Sequence, residues 1–194
     1  MKDRHLKTAA KWRVKKFIPA SAILAVLIGL TVGAYRLVYP YGERPCCLPC
    51  TLEALREFAA GNSGNFPKVG TNSMESLLEL YPKYLVDRTL LAGISGNRKL
   101  LEQEILTGAE ITDDASSWAY WPGFGLDDDP EIAIIWERKA GLGFDGRRSF
   151  GHAVGFISGE HRQVPDVAWE SFLKQQDTLR QNARNRISAP SSNR

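Results

Sequence analysis

Cysteine and histidine are scarce in this chain, which has three of each among its 194 residues. Three cysteines are too few for a small secreted protein whose fold is stabilised mainly by disulfide bonds. Without a nearby histidine they also fall one ligand short of a closed zinc site. Hydrophobic residues make up 43% and charged residues 24% of the chain, so it is not disordered as a whole. The length suits one domain of about 130 residues with appendages.

Charge is absent from Phe17 to Tyr35, in the sequence FIPASAILAVLIGLTVGAY. A helix of this length reaches roughly 28 Å, close to the hydrocarbon thickness of a bilayer. Backbone groups in lipid must be bonded internally, so we predict a transmembrane helix over residues 17–36 or a cleaved signal. The apolar run exceeds the ~7–15 residues usual in a signal peptide, which favours an uncleaved anchor. In the alternative, cleavage near Val32-Gly33-Ala34 releases a secreted binding protein.

The net charge of +3 is the sum of a basic N-terminal part and an acidic remainder. Residues 1–36 carry eight basic side chains and one acidic one, whereas residues 37–194 carry 17 basic and 21 acidic ones. Basic residues beside a spanning helix stay in the cytoplasm. We therefore expect residues 1–16 to be a basic cytoplasmic arm and the chain after Arg36 to lie outside the cytoplasm. Nucleic-acid binding is not expected, because that outer part is acidic and anionic lipid explains the arm.

The three cysteines, Cys46, Cys47 and Cys50, follow the apolar segment. Prolines and a glycine predict a Cys/Pro-rich linker over residues 37–50. Cys47-Leu-Pro-Cys50 has C-x-x-C spacing at the start of a predicted helix, a position that lowers a thiol pKa in redox motifs. However, no strand-helix-strand unit precedes it. A structural disulfide with one thiol left over, a disulfide between chains, and a metal site or free thiols are the other interpretations.

Hydrophobic periodicity and turn residues predict an α+β domain over residues 51–174. A helix over 51–60 ends at Gly61-Asn62, and a short second helix begins at Thr71 or Ser73 and ends before Pro82. No clear period marks residues 85–112. The predicted strands are 117–121, 131–136, 153–157 and 161–164, with a turn at Ser158-Gly159 between the last two. A final helix is predicted over 167–174, followed by a polar flexible tail over 175–194.

Several short phrases, in this order, carry a family resemblance. After the apolar helix come Cys-Thr-Leu-Glu-Ala-Leu-Arg-Glu-Phe-Ala-Ala-Gly-Asn-Ser-Gly-Asn-Phe-Pro (50–67), Trp-Ala-Tyr-Trp-Pro-Gly (118–123), Ile-Ile-Trp-Glu (134–137) and Ala-Val-Gly-Phe-Ile-Ser-Gly (153–159). Residues 17–174 thereby resemble type IV pilin-like and type II secretion pseudopilin-like proteins, in the branch with a C-terminal H-x9-D-G signature. The resemblance implies a pilin-like helix packed on a small antiparallel sheet.

The chain departs from that family at two places. Prepilins are cut after a glycine that precedes phenylalanine and carry glutamate at the fifth mature position, but here Lys16 and Ser21 occupy these positions. The signature is degenerate, since its histidine and aspartate positions fall on Arg148 and Ser158, and only Gly159 remains. The resemblance thus implies a pseudopilin-like protein of the bacterial inner membrane, with less support for filament assembly.

No catalytic, cofactor or metal site is predicted from the remaining polar motifs. Asp127-Asp128-Asp129 lacks the spaced ligands of a calcium loop and is interpreted as a solvated turn. Residues 141–146 are rich in glycine, but no Lys-Ser/Thr pair follows, so they are expected to form a mobile connection. His152 and His161 flank the predicted hairpin without a nucleophile placed beside them. Of Trp118 and Trp121, one is expected to be exposed for a partner.

These observations predict a non-catalytic, single-pass envelope protein that binds the bilayer through residues 17–36 and interacts with protein partners or with itself. The alternative is a membrane-anchored thiol-disulfide protein that uses Cys47 and Cys50.

Overall fold

The structure, a computed structural model, describes residues 3–44, 47–69, 73–112 and 114–188. The chain divides after Pro40 into two compact units. The first unit contains helix α1 (Asp3–Val38), and the second, here called the folded domain, contains all other elements. These are α2 (Cys47–Gly61), α3 (Ser73–Leu78), a 3₁₀ helix (Arg88–Ala92), α4 (Arg98–Thr107), β1 (Trp118–Tyr120), β2 (Ala133–Glu137), β3 (His152–Phe156), β4 (His161–Val164) and α5 (Asp166–Ser188).

Helix α1 contains a stretch that is long and apolar enough to cross a membrane. It runs from Ser21 to Val38 with a mean hydropathy of 1.9, and none of it is buried. This agrees with the apolar helix predicted over residues 17–36. In the structure, α1 ends at Val38, two residues after the predicted end. A single membrane span and a signal sequence near the N-terminus share these properties.

The four strands form one antiparallel sheet in the order β1-β2-β3-β4, so the predicted α+β class is confirmed. The β4 bounds match the prediction, and the other strands agree with it to within two residues at either end. Residues paired across β3 and β4 include His152 with Val164 and Gly155 with His161, which confirms the hairpin around Ser158-Gly159.

Helix α2 lies on one face of the sheet, where it approaches β3 closely at Gly155. A β-carbon at this position would lie 3.1 Å from Ile135 Cγ2 and 3.2 Å from the Leu52 methyl groups. The absence of a side chain at Gly155 therefore lets α2 pack its buried apolar stripe directly onto the strand. The same core contains both Ile134 and Ile135, because the register of β2 shifts between Ala133 and Ile135.

Helix α5 covers the opposite face. Successive residues of a strand point to opposite sides of a sheet, and Val154 and Phe156 flank Gly155 in β3. Both pack in a second core with Phe172 of α5. Trp169 of α5 adds a stacked ring 3.8 Å from that of His152.

The polar segment predicted to be a flexible tail over 175–194 continues α5 as far as Ser188, and residues 189–194 lie outside the described part of the chain. The prediction was wrong because Gln176 and Arg180, both buried, look like solvated residues in the sequence. Their side chains provide hydrogen bonds that a longer β1 strand would otherwise provide. Strand β1 ends at Tyr120, so the backbone of Ala133 extends beyond it.

Two α5 side chains satisfy the backbone of β2 at this point. Gln176 Oε1 accepts a hydrogen bond from the Ala133 N–H (2.7 Å), and its Nε2 donates to the Glu131 carbonyl (3.0 Å). Arg180 Nη2 donates to the Ala133 carbonyl at 3.0 Å. Since buried backbone groups need partners, the polar stripe of α5 stabilises the sheet where β1 is missing.

The predicted linker over 37–50 is also too long, because α2 begins at Cys47. Pro49 is the third residue of the helix, where a missing backbone N–H costs no intrahelical bond. The short helix predicted after Thr71 or Ser73 is confirmed from Ser73 onward, and Thr71 lies outside the described residues.

The region without a clear period contains a capped helix, α4. Asn97 Oδ1 accepts a hydrogen bond from Leu100 N at its start, and Gly108 adopts a left-handed conformation at its end.

We expect Gln176→Leu to destabilise the folded domain by about 1–3 kcal/mol, because the Ala133 N–H and the Glu131 carbonyl lose their partners. Urea unfolding followed by tryptophan fluorescence measures this loss. Gln175→Leu, on the exposed side of the same helix, is the matched control and is expected to change the free energy of unfolding by less than about 0.5 kcal/mol. Equal effects of the two substitutions would contradict the role of Gln176.

Candidate functional site

The first candidate is the cysteine cluster at the start of α2. Cys47 is fully buried, and its Sγ lies 3.9 Å from the Leu90 carbonyl oxygen. Burial raises the pKa of the Cys47 thiol above its ordinary value, and the negative charges of Glu137 and Asp87 raise it further. This thiol is therefore protonated and shielded from solvent, the opposite of the exposed thiolate that disulfide exchange requires.

Cys50 lies one turn further along α2 and is half-exposed. Cys47 is a free thiol, so it is not bonded to Cys50. Cys46 lies outside the described residues. The C-x-x-C pair proposed from the sequence is thus brought into one helical turn but is not joined.

The residues at the degenerate signature positions are not brought together. Arg148 pairs with Leu142 in an isolated bridge before β3, whereas Ser158 and Gly159 form the turn after it. Gly159 has a φ of 88°, and a side chain there would collide with the Arg56 guanidinium. This glycine is therefore explained by its turn and by the close approach of Arg56.

The two strand histidines lie on opposite faces of the sheet. His152 Nδ1 lies 3.0 Å from the Glu137 carbonyl oxygen on the α5 side. His161 is paired with Gly155 on the α2 side and packs edge-to-face on Phe144 at 4.7 Å. They do not form a joint site.

The acidic turn and the glycine-rich loop are both ordered by local hydrogen bonds. Asp128 Oδ2 accepts from Gly125 N at 2.9 Å, and Asp129 Oδ1 accepts from Glu131 N at 3.0 Å. In the loop, Gly143 N donates to the Arg147 carbonyl, so the connection contains a hydrogen-bonded turn. Among the described residues, no group of three or more His, Cys, Asp or Glu side chains is arranged to bind a metal.

Sequence reasoning missed Glu137, the most deeply buried charged residue in the described part of the chain. Its Oε2 accepts from Ile94 N (2.9 Å) and from Ser117 Oγ (2.7 Å), and its Oε1 accepts from Ser95 Oγ (2.6 Å). Burial raises the pKa of Glu137, although these hydrogen bonds oppose the shift. The carboxylate anchors the Ile94–Ser95 segment to the end of β2. The one feature of the sequence that could have indicated this burial is that Glu137 directly follows the apolar residues of a predicted strand.

Two concave surfaces lie beside the sheet. A groove of about 530 Å³ separates α2 from the β3–β4 turn and is lined partly by Leu52, Arg56 and His161. A second pocket, of about 430 Å³, lies between β1 and the C-terminal half of α5 and is lined partly by Trp121 and Arg184.

Of the two β1 tryptophans, Trp118 is buried and its Nε1 donates to the Leu90 carbonyl (2.9 Å), whereas Trp121 is half-exposed.

Comparison with known proteins adds no relative. No family model, no curated protein and no solved structure matches the chain. The description of the fold therefore depends only on the contacts within this structure. The resemblance to pilin-like proteins depends only on the short sequence phrases.

Glu137→Gln is expected to be tolerated, whereas Glu137→Ala is expected to destabilise the domain by at least about 3 kcal/mol. The alanine leaves several buried donors unsatisfied at about 1–3 kcal/mol each. The glutamine oxygen can still accept from Ile94 N, while its amide donates to a reoriented serine hydroxyl. Denaturant unfolding at pH 7 measures both, with exposed Glu131→Gln as control. A glutamine variant as unstable as the alanine variant would contradict this account.

The same substitution tests the pH dependence. A raised pKa means that the folded state keeps a proton that the unfolded state has released, so this group lowers the free energy of unfolding as pH rises above its ordinary pKa of 4.5. Relative to the wild type, Glu137→Gln should therefore gain stability between about pH 4 and pH 7. A constant difference over this range would contradict the raised pKa.

Proposed function

We propose that this protein is a non-catalytic, membrane-anchored subunit of the bacterial envelope, a pseudopilin-like interaction component of a secretion or surface assembly. The observation that carries the proposal is the apolar stretch Ser21–Val38, whose side chains are all exposed. An exposed stretch of 18 predominantly apolar residues is unfavourable in water and is accommodated by lipid. With the basic arm in the cytoplasm, the folded domain lies on the outer side of the inner membrane.

The layout of the folded domain supports the pilin-like part of the proposal. The first helix after the anchor, α2, packs on an antiparallel sheet, as the resemblance implies. The second covering helix, α5, is an addition to that expected plan. Because α2 and α5 cover the two faces, contacts with other subunits would use the grooves beside the sheet.

The buried Cys47 favours this function over the thiol-disulfide alternative. An oxidoreductase needs an accessible thiolate with a lowered pKa, whereas Cys47 is inaccessible and its pKa is raised. We propose that Cys46 and Cys50 form a structural disulfide and that Cys47 is a core residue. This assignment accounts for all three cysteines of the chain, and the disulfide suits an oxidising compartment outside the cytoplasm.

Alkylation with iodoacetamide and peptide mapping tests the pairing. The native full-length chain should react at no cysteine, the denatured unreduced chain at Cys47 alone, and the denatured reduced chain at all three. The reason is that burial protects Cys47 while a disulfide blocks the other two. Labelling of Cys46 alone in the denatured unreduced chain would mean a Cys47–Cys50 bond and would support the redox alternative. Rapid labelling of the native chain would contradict the buried thiol.

Site-specific photo-crosslinking in intact cells tests the interaction role. A benzoyl-phenylalanine at Glu57, in the groove beside α2, is expected to give discrete adducts with a few envelope proteins. The control is the same group at Glu170, on the exposed side of α5, where we expect at most a tenth of the adduct. The proposal fails if both positions give equal, diffuse adducts while the purified chain catalyses reduction of a disulfide substrate.

A further inference from the structure

The connection between β2 and β3, residues 138–151, is basic in a region that is otherwise acidic. It contains one acidic side chain, Asp145, and four basic ones, which are Arg138, Lys139, Arg147 and Arg148. The rest of residues 37–194 carries 13 basic and 20 acidic side chains. Attraction to a charged surface depends on net charge, so the ion pair of Arg147 with Asp145 at 3.8 Å lowers the attraction without reversing it. We call residues 138–151 the basic loop.

An exposed aromatic ring belongs to the same loop. Phe150 is 87% exposed, and it lies two residues after Arg148, which is exposed as well. Lys139 and Arg147 are also exposed. Exposed basic side chains beside an exposed aromatic ring are typical of segments that bind at the surface of an anionic bilayer. In such segments the cations lie near lipid phosphates and the ring enters the headgroup region.

The chain that follows helix α1 enters the folded domain at this loop. The Lys139 ammonium lies 4.6 Å from the centre of the Tyr41 ring and donates to the Tyr41 hydroxyl. Arg44 N donates to the Asp145 carbonyl at 2.7 Å. Only two residues separate Tyr41 from the end of α1. A bilayer that holds the apolar stretch is therefore within reach of the basic loop.

We propose that the basic loop binds the anionic lipid surface of the bilayer in which the chain is anchored. Arg147 and Arg148 meet lipid phosphates, and the Phe150 ring enters the headgroup region beside them. This contact rests on the proposed membrane anchor and gives the chain a second attachment to the same bilayer. The groove beside α2 is lined in part by Gly159, at the other end of β3 from the loop, so it stays accessible to protein partners.

The contact depends on lipid charge, on salt and on positive charge in the loop. Each Lys or Arg close to an anionic bilayer strengthens binding by about fivefold. Salt at about 1 M screens this attraction beyond a few ångströms. An anionic surface attracts positive charge and does not require the planar guanidinium fork, so lysine can replace arginine here.

Photo-crosslinking to lipid tests the contact. The full-length chain carries benzoyl-phenylalanine at position 150 and is reconstituted in nanodiscs of phosphatidylcholine with or without phosphatidylglycerol. After irradiation, mass spectrometry detects lipid attached to the peptide that contains position 150. We expect this adduct in discs with phosphatidylglycerol, and at least about tenfold less of it in phosphatidylcholine alone or in about 1 M salt.

The matched control carries benzoyl-phenylalanine in place of Val86, which is also 87% exposed. Val86 is two residues from Tyr84, whose hydroxyl lies 3.4 Å from Asn62 Nδ2 at the C-terminal end of α2. Residues 41–44 lead into the other end of this helix, about 22 Å away. We expect at most about a tenth of the lipid adduct at position 86, because attraction to the bilayer is short-ranged.

Charge substitutions separate lipid attraction from mere proximity. Arg147→Gln with Arg148→Gln should lower the lipid adduct at position 150 at least about tenfold, whereas Arg147→Lys with Arg148→Lys should preserve it. Lys68→Gln with Lys83→Gln removes two exposed charges outside the loop and should leave the adduct unchanged. Circular dichroism of each variant checks that the domain is folded.

Equal lipid adducts at positions 86 and 150, or an adduct at position 150 that does not depend on lipid charge or on the glutamine substitutions, would overturn the proposal. Capture of protein and not lipid at position 150 would assign the ring to a protein interface and overturn it too. If the chain enters the discs without lipid capture while the cellular adducts at Glu57 persist, the lipid contact is wrong and the interaction role remains. A chain that does not enter the discs would contradict the anchor as well.

Discussion

The backbone of β2 at Ala133, which has no strand partner on its β1 side, is the constraint that explains helix α5. Strand β1 is only three residues long, and it ends before it can pair with Ala133. A buried peptide group without partners costs free energy comparable to a lost hydrogen bond. Gln176 and Arg180 supply the missing bonds from α5. The polar second half of α5 is therefore a structural part of the domain, and it also fixes the position of Arg184 beside β1.

The covering of both sheet faces decides which surfaces remain for function. Apolar contacts bury one face under α2 and the other under α5, and the buried Cys47 belongs to the core on the α2 side. The grooves beside the sheet and the acidic turn are left accessible. These surfaces carry charge and shape, and among the described residues no group of three or more His, Cys, Asp or Glu side chains is arranged to bind a metal. The proposed role, binding other proteins, would use these surfaces.

The sequence correctly predicted those helices, strands and turns that are specified by residues close together in the chain. The β-branched run before Trp136, the Ser158-Gly159 turn and the apolar spacing of α2 each specify their own element. Pro49 misled the prediction of the linker, because a proline within the first helical turn is tolerated. Gln176, Arg180 and Glu137 could not be recognised as buried, since their burial depends on partners distant in sequence. The placement of His152 and His161 on opposite faces of the sheet likewise depends on the register between β3 and β4. The sequence analysis did not predict that register.

The proposed membrane anchor is the feature on which the proposed compartment, disulfide and partners all depend. The N-terminal sequence of the native chain recovered from carbonate-washed membranes tests it most directly. The account predicts a membrane-bound chain that retains the basic residues 1–16 ahead of the apolar segment. A soluble mature chain that begins near Tyr35 would contradict it.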